Sequence, residues 1–314
     1  MKFPVFPPEA SANAAQVDHL YLFLTAFSVF LMALVLVPMI WCLFKYRRGH
    51  QADRTPPRVS TTRIEVTWTV IPLLLSMGMF TWGARAYFNM EVPPADTLEV
   101  NVVGKQWMWK IQHQEGNREI NELHVPLGRS VKLTLASEDV IHDFFIPDFR
   151  IKQDVVPGRF TTEWFRPTRA GQYHFFCAQF CGTDHSRMIG TVYVMEPAQY
   201  EAWLNRGNAH NTLAQSGAAL FRELGCSGCH MGNSVVHAPR LEGLYGKMVP
   251  LQDGRFLRAD DKYLRDCILV PTTQVVAGYQ PLMPTFQGRI SEAELFELIA
   301  YIKSLASQQP EVQR

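Results

Sequence analysis

The feature that most constrains the fold of this chain is an uninterrupted apolar run near its N-terminus. Residues 20–44 contain no charged side chain. As a helix of about 25 residues at ~1.5 Å each, they would exceed the ~30 Å hydrocarbon core of a bilayer. A second apolar run covers about residues 66–86. We therefore expect a two-helix transmembrane hairpin within residues 1–92; a pair of buried core helices is the alternative.

The polypeptide between the two apolar runs is basic, whereas acidic residues follow the second run. The basic residues are Lys45, Arg47, Arg48, Arg54, Arg58 and Arg63, and Pro56 and Pro57 interrupt any helix there. The acidic residues are Glu91, Asp96 and Glu99. Because cytoplasmic loops carry the excess of Lys and Arg, the connection is predicted to be cytoplasmic and both ends of the chain to lie on the opposite side.

Residues 93–197 change to short runs in which apolar and polar residues alternate. LEVNV begins at residue 98 and VKLTL at residue 131, and Gly and Pro punctuate the segment at regular intervals. This period of two predicts an all-β sandwich or Greek-key barrel. Residues 198–212 are predicted to be a linker, helical in part. Over the whole chain, 30 Lys and Arg balance 29 Asp and Glu, so no basic field points to nucleic acid.

The loop CAQFCGTDHSRM carries a concentrated set of metal ligands. It contains Cys177, Cys181, His185 and Met188. Thiolate, imidazole and thioether ligands suit copper, whereas zinc sites do not normally use methionine. Two bridging thiolates would hold two copper ions, and each ion would then need a terminal imidazole, so a second histidine must come from elsewhere. A structural zinc knuckle or a Cys177–Cys181 disulfide is the alternative.

This loop resembles the binuclear copper (CuA) loop of cytochrome c oxidase subunit II. The upstream segment SEDVIHDFFIPDFRIKQDVVPGR matches that family as well, and the β domain would then be cupredoxin-like. The resemblance implies bridging thiolates from Cys177 and Cys181, terminal imidazoles from His142 and His185, and weak axial ligation by Met188 and the backbone carbonyl of Gln179. Many family members have Glu at residue 179. An amide is a poorer ligand for a hard dication, so a magnesium site at the border with subunit I is doubtful.

The resemblance also gives roles to two residues outside the copper loop. Glu65, in the pattern E-x-x-W-T-x-x-P, matches a glutamate at the entrance of a proton channel. An acid favoured at a helix start is the simpler interpretation. Trp107, in GKQWMWK, matches a position for electron entry or relay. Packing of Trp107 and Trp109 in an aromatic strand fits that segment equally well.

The C-terminal part, residues 213–314, is predicted to be an all-α cytochrome c domain. Cys226, Cys229 and His230 form C-x-x-C-H, the signature of covalently attached haem c. A helix at residues 214–224 leads into it, and the segment APRLEG resembles the loop whose proline, here Pro239, accepts a hydrogen bond from the haem histidine. The capping box Ser291-x-x-Glu294 opens a C-terminal amphipathic helix, which we expect to pack on the helix at residues 214–224.

The sixth ligand of the haem iron must come from the opposite side of the ring. The candidates are Met231, Met248, Met283 and His237. Met231 adjoins His230 and cannot reach across the ring, His237 lies in the loop near Pro239, and Met248 lies in a predicted surface loop. We predict ligation by Met283, which is stiffened by neighbouring prolines and matches the family's methionine position.

The resemblance covers about residues 15–308. It implies subunit II of a respiratory oxidase in a bacterial inner membrane, with a fused cytochrome c domain and both metal domains on the periplasmic face. Electrons would pass from a periplasmic donor (a cytochrome c, an iron–sulfur protein or a respiratory complex) to haem c, then to copper, then to haem in subunit I, which reduces dioxygen and pumps protons. Subunit III would be a further partner. The alternatives are the copper subunit of a nitric oxide reductase and a stand-alone membrane-tethered shuttle.

Overall fold

The computed structural model describes residues 6–53, 55, 60–206, 211–231, 236 and 238–306. The chain forms two compact units, residues 12–92 and residues 1–11 with 93–314. The first unit consists of helices α1 (Ala12–Lys45) and α2 (Thr62–Glu91), both long and apolar enough to cross a membrane. Their apolar windows are not buried, which argues against the alternative of buried core helices. Both helices extend beyond the predicted spans, and Arg54 and Arg58 lie outside the described residues.

The second unit begins with a sandwich of two five-stranded sheets. Sheet 1 has the strand order β3-β2-β1-β5-β8 and sheet 2 the order β4-β10-β9-β6-β7. The strands are β1 (Leu98–Lys105), β2 (Met108–His113), β3 (Arg118–Ile120), β4 (Glu122–Pro126), β5 (Val131–Ser137), β6 (His142–Ile146), β7 (Ile151–Val155), β8 (Thr161–Phe165), β9 (Gly171–Cys177) and β10 (Ile189–Met195). Apolar side chains fill the space between the sheets, with Trp109, Phe144 and Phe175 among the largest fully buried.

The N-terminal tail belongs to this sandwich, although we predicted it as part of the membrane domain. The amide of Ala10 donates to the carbonyl of Asp148, and Ser11 pairs with Pro167. Backbone pairing of this kind satisfies groups that an irregular tail would leave to water. The N-terminal tail is therefore bound to the sandwich by backbone pairing.

The predicted linker is a packed helix in its first part. Helix α3 (Pro197–Arg206) buries Tyr200 and Leu204 and stacks the ring of Trp203 on that of His124, with 4.6 Å between ring centroids. Spacings of three and four residues bring these side chains to one face of a helix. Residues 198–206 are thus part of the β domain, and residues 207–210 lie outside the described part of the chain.

The C-terminal domain consists of helices α4 (Leu213–Glu223), α5 (Ser227–His230), α6 (Asp261–Leu269) and α7 (Glu292–Ala306). Capping boxes begin α4 at Thr212 and α7 at Ser291. Helix α7 packs on α4 as expected. The domain also contains a two-stranded sheet, β11 (Met248–Pro250) and β12 (Phe256–Arg258), so the all-α description is right for the core but not for this connection.

Candidate metal centre and haem cavity

The cysteine loop is held between two paired strands of sheet 2. Strand β9 ends at Cys177 and β10 begins directly after Met188, and the Cys177 amide donates to the Met188 carbonyl at 3.0 Å. His142 is the first residue of β6, which pairs with β9 so that Phe144 faces Cys177. Local pairing therefore closes the loop, and sheet register brings His142 to it from 35 residues away.

Six predicted copper ligands converge at this point. The Sγ atoms of Cys177 and Cys181 lie 3.7 Å apart. Around them, Nδ1 of His142 lies 3.8 Å from Cys177 Sγ, the carbonyl oxygen of Gln179 lies 3.1 Å from the same sulfur, and His185 Nδ1 and Met188 Sδ lie 3.5 and 3.8 Å from Cys181 Sγ. Both thiols are free rather than joined as a disulfide. Two sulfurs with one imidazole each, a thioether and a carbonyl form a donor set that fits copper.

Asp139 fixes the orientation of His142, and sequence reasoning did not identify it. Its Oδ1 lies 2.8 Å from His142 Nε2, which leaves Nδ1 toward Cys177. Burial lowers the pKa of His142, but its hydrogen bonds with Cys177 and Asp139 outweigh this effect and raise the pKa. A carboxylate behind a ligating imidazole fixes its tautomer and increases its basicity. The only signal in the sequence is an acid three residues before a candidate ligand histidine.

The two thiols differ in their protonation. Burial alone would raise the pKa of Cys177. Hydrogen bonds with His142, with the backbone of Asp143 and Gln179, and with Cys181 outweigh burial, so the net pKa is lowered. Burial, followed by the hydrogen bond and charge of Cys177, raises the pKa of Cys181. Ionisation of one thiol therefore disfavours ionisation of the other, and a bound cation would stabilise both thiolates together.

Trp107 and its neighbour Gln106, which follow β1 of sheet 1, bind the cysteine loop. Trp107 Nε1 donates to the Cys181 carbonyl at 3.2 Å, and Gln106 Nε2 donates to the same oxygen at 2.7 Å. Gly182 has a φ of 117°, and a Cβ atom there would lie 3.0 Å from Gln106 Nε2 and 3.2 Å from the Trp107 ring, so backbone conformation and close approach together favour glycine. Trp107 thus touches the metal loop, whereas Trp109 is a fully buried core residue whose ring meets His142 edge-on.

A cavity of about 280 Å³ occupies the centre of the C-terminal domain. Its wall includes Cys226, Cys229, His230, Pro239 and Met283, together with mostly apolar side chains from α6 and α7. The predicted contact between His230 and Pro239 is present, with His230 Nδ1 lying 2.8 Å from the Pro239 carbonyl. Two thiols, an oriented imidazole and a thioether on an apolar wall fit a haem c group.

Met231 and Met248, the other candidates among the described residues, do not line this cavity. Met231 and Met248 are 55 % and 60 % exposed, and Met248 begins β11 rather than lying in a loop. His237 is outside the described residues. Among the described candidates, the cavity brings together only His230 and Met283.

Glu65 lies in the first turn of α2, with its side chain exposed. The Thr69 hydroxyl donates to its carbonyl oxygen at 2.8 Å. This placement fits an acid at a helix start.

Comparison with known proteins agrees with this architecture. Three family models match in chain order: "Cytochrome C oxidase subunit II, transmembrane domain" at residues 2–81, "Cytochrome C oxidase subunit II, periplasmic domain" at residues 117–195, and "Cytochrome c" at residues 214–306. A cytochrome c oxidase subunit 2 of Alkalihalophilus pseudofirmus is 29 % identical, covering 88 % of this chain and 85 % of the relative.

Other relatives are also second subunits of oxidases. An alternative cytochrome c oxidase subunit 2 of Bradyrhizobium diazoefficiens is 31 % identical over 56 % of this chain and 75 % of its own. A heme-copper oxidase subunit 2 of Aeropyrum pernix is 31 % identical over 60 % of this chain and 88 % of its own. The solved periplasmic domain of cytochrome oxidase subunit II from Bradyrhizobium japonicum is 26 % identical, with a TM-score of 0.36, and covers 38 % of this chain and 98 % of that structure.

Fold and sites together define a membrane protein in which a cupredoxin-like domain is followed by a cytochrome c domain. The chain belongs to the cytochrome c oxidase subunit II family. It is accordingly an oxidoreductase component of a haem-copper oxidase, with copper and haem c as its metal groups and subunit I as its partner.

Proposed function

We propose that this chain is the electron-entry subunit of a respiratory cytochrome c oxidase. Haem c accepts an electron from a periplasmic donor, a binuclear copper centre receives it, and haem in subunit I accepts it for the reduction of dioxygen coupled to proton pumping. The observation that carries this proposal is the convergence of two cysteine sulfurs, 3.7 Å apart, with His142, His185, Met188 and the Gln179 carbonyl in a chain that also carries C-x-x-C-H.

In the copper centre, Cys177 and Cys181 would bridge, His142 and His185 would be terminal ligands, and Met188 and the Gln179 carbonyl would be weak axial ligands. A copper pair bridged in this way spreads the transferred charge over both ions, so that little reorganises when an electron passes. Asp139 holds the His142 ring, and Gln106 and Trp107 hold the Cys181 carbonyl. A site fixed by neighbouring hydrogen bonds is preorganised for both oxidation states.

In the cytochrome domain, Cys226 and Cys229 would attach haem c covalently, and His230 and Met283 would bind its iron. Pro239 orients His230 through the 2.8 Å contact. A thioether ligand favours ferrous iron and raises the potential relative to a second imidazole. This suits a haem that takes electrons from a periplasmic donor.

The membrane arrangement follows from the charge pattern. The basic connection between α1 and α2 would be cytoplasmic and both metal domains periplasmic. Glu65 would then lie at the cytoplasmic entry of α2, where it could admit protons to a channel in subunit I. Trp107, in contact with the copper loop, would relay electrons. Gln179 is exposed and neutral, which disfavours a magnesium ion there. Subunit III is a further expected partner.

Purification of the chain from native membranes tests the proposal. We expect a complex with a multi-span subunit carrying haem, a near-infrared band of mixed-valence copper and the spectrum of covalent haem c. Isolation of the chain alone would contradict the oxidase assignment in favour of a tethered shuttle. A partner that reduces nitric oxide and not dioxygen would identify a nitric oxide reductase.

A further inference from the structure

The outer face of sheet 1 is covered by the cytochrome domain. Residues of β1 alternate between the two faces: Gly104 approaches the rings of His142 and Trp109 inside the sandwich, so Glu99 and Val103 point away from it. Lys303 of α7 reaches Glu99 with an Nζ–Oε2 distance of 2.8 Å. Val103 is fully buried although it points outward, so α7 lies directly on this sheet.

Phe296 of α7 forms the centre of this contact. Phe296 is 3 % exposed and packs on Val103 and Ala136. Ala136 is the partner of Val103 in the adjacent strand β5. The ring of Phe160, from the turn before β8, stacks on Phe296 with 4.7 Å between centroids and 15° between planes. Phe160 also packs against the core of the cytochrome domain and carries the Arg265 guanidinium 5.4 Å from its ring centroid. Phe160 therefore contacts both domains.

Charged pairs surround this apolar centre. Arg118 of β3 pairs with Glu297 of α7, and Glu99 binds both Lys132 and Lys303. An apolar centre within a charged rim is the arrangement of stable protein–protein interfaces. We call this contact between the two domains the internal interface. It consists of Glu99, Val103, Arg118, Ala136, Phe160, Phe296, Glu297 and Lys303.

The internal interface lies between the two metal sites. On the cytochrome side, α7 presents Leu298 and Ile302 to the haem cavity, so the helix that carries Phe296 also forms the cavity wall. On the copper side, Val103 is followed by Gly104, and a Cβ atom on Gly104 would lie 3.0 Å from Cδ2 of His142. The backbone of one strand therefore separates the Phe296 contact from the ring of a predicted copper ligand.

We propose that the cytochrome domain stays docked through the internal interface and that electrons pass across it, from the α7 side of the haem cavity to the His142 side of the copper centre. This rests on the proposed function. One electron leaves ferrous haem c, which becomes ferric, and reduces the copper pair by one electron; no proton moves and no bond breaks. Phe160 and the ion pairs are positioning residues, because they set the distance between the sites without carrying a ligand.

The test uses the purified holo-oxidase and two readouts. Flash reduction of haem c followed by its reoxidation gives the internal transfer rate, and amide hydrogen exchange of β1 and α7 reports docking independently of turnover. For Arg118→Glu and for Phe160→Ala we expect loss of exchange protection and a rate lower by roughly tenfold, because the rate scales with the docked fraction.

Arg118 has a matched rescue, the double variant Arg118→Glu/Glu297→Arg, which re-forms the pair with reversed charges and should restore both readouts. Lys247→Glu, an exposed charge reversal on the same domain, should change neither. Lost protection with an unchanged rate would overturn the electron route, and unchanged protection in Phe160→Ala would overturn the docking. A wild-type protein without the copper or haem c spectrum would instead refute the proposed function.

Discussion

Replacement of Gly217 by alanine tests the helix contact that supports the cytochrome domain. Gly217 lies where α4 crosses α7, and a Cβ atom there would lie 1.9 Å from the carbonyl oxygen of Glu297 and 2.5 Å from its carbonyl carbon. Both are backbone atoms, so no rotation of a side chain relieves the clash. The two helices must move apart by about 1.5 Å to reach an ordinary contact of 3.4 Å.

Two opposing effects set the magnitude for Gly217→Ala. Alanine stabilises a helix by about 1 kcal/mol relative to glycine. Overpacking a close contact costs about 1–3 kcal/mol, and we expect the upper value because the obstacle is backbone. The net loss is then about 2 kcal/mol, which lowers the melting temperature of a domain of this size by about 8–16 °C.

The assay for Gly217→Ala is thermal unfolding of the full chain, followed by the Soret absorbance of haem c. Ala219→Ser is the matched control, because it adds one atom on the exposed side of the same helix and should melt within a few degrees of the wild type. A melting temperature for Gly217→Ala at or above the wild-type value would show that helix propensity dominates and that the crossing is not tight.

Three further predictions concern the buried acid Glu163, the carboxylate of Asp139 behind His142, and the haem ligand. Burial and the nearby charge of Asp143 raise the pKa of Glu163 well above its ordinary value. Above about pH 4.3 the unfolded chain releases this proton first, so stability falls as pH rises, and Glu163→Gln should raise the melting temperature at pH 8 but not at pH 4. Asp139→Ala should weaken copper binding by roughly 10–100-fold in a chelator competition, because His142 loses its carboxylate partner. Met283→Ala should abolish the weak red-edge absorption of a sulfur–ferric bond, whereas Met248→Ala should keep it.

Each of these results has an outcome that would contradict its reasoning. Equal stabilisation by Glu163→Gln at both pH values would mean that ionisation is not the cause. Copper affinity unchanged in Asp139→Ala would mean that the loop alone orients His142; Asp139→Asn, which keeps an acceptor, should lose less. Retention of the band in Met283→Ala and its loss in Met248→Ala would transfer the ligand role to Met248.

The sequence was most informative where a short segment contains its own chemistry. The loop from Cys177 to Met188 and the motif from Cys226 to His230 each place candidate ligands within a few residues. Residue type and spacing therefore predicted two metal sites, and the family resemblance supplied the roles of the individual residues. The membrane helices were predicted for the same reason, since their signal is the composition of one continuous run. Their ends were predicted too short, because polar residues at the ends continue the helix without contributing to hydropathy.

The sequence was least informative where sheet register brings distant segments together. Gln106 meets both the copper loop and Asp139 only because β1 leads into the turn over Cys181. Glu163 is a charged residue in a strand, yet it is buried and neither of its carboxylate oxygens has a partner among the described residues. A residue-by-residue pattern gives no distance between strands, so it could not predict these neighbours.

Strand β1 shows how the same limit concealed the relation between the two metal domains. The alternation of apolar and polar residues in LEVNV is typical of a strand with one buried and one exposed face. Asn101 and Val103, which point outward with Glu99, are nevertheless buried, since the cytochrome domain covers that face. An apolar valine at an outward position was the one sign that the strand has no solvent-exposed face at that point.

This covered face changes what the fusion of the two domains contributes to electron transfer. A flexible linker would only raise the effective concentration of the cytochrome, to ~mM for a short tether. Here the connecting polypeptide is fastened at both ends: Tyr200 and Trp203 of α3 pack on the β domain, and the Leu213 amide donates to the Gln114 carbonyl at 3.1 Å. Lys303 and Phe296 then hold α7 on sheet 1. Because orientation is fixed before each electron arrives, transfer between the sites would need no encounter step, and its rate should be independent of protein concentration and set by the distance across the internal interface.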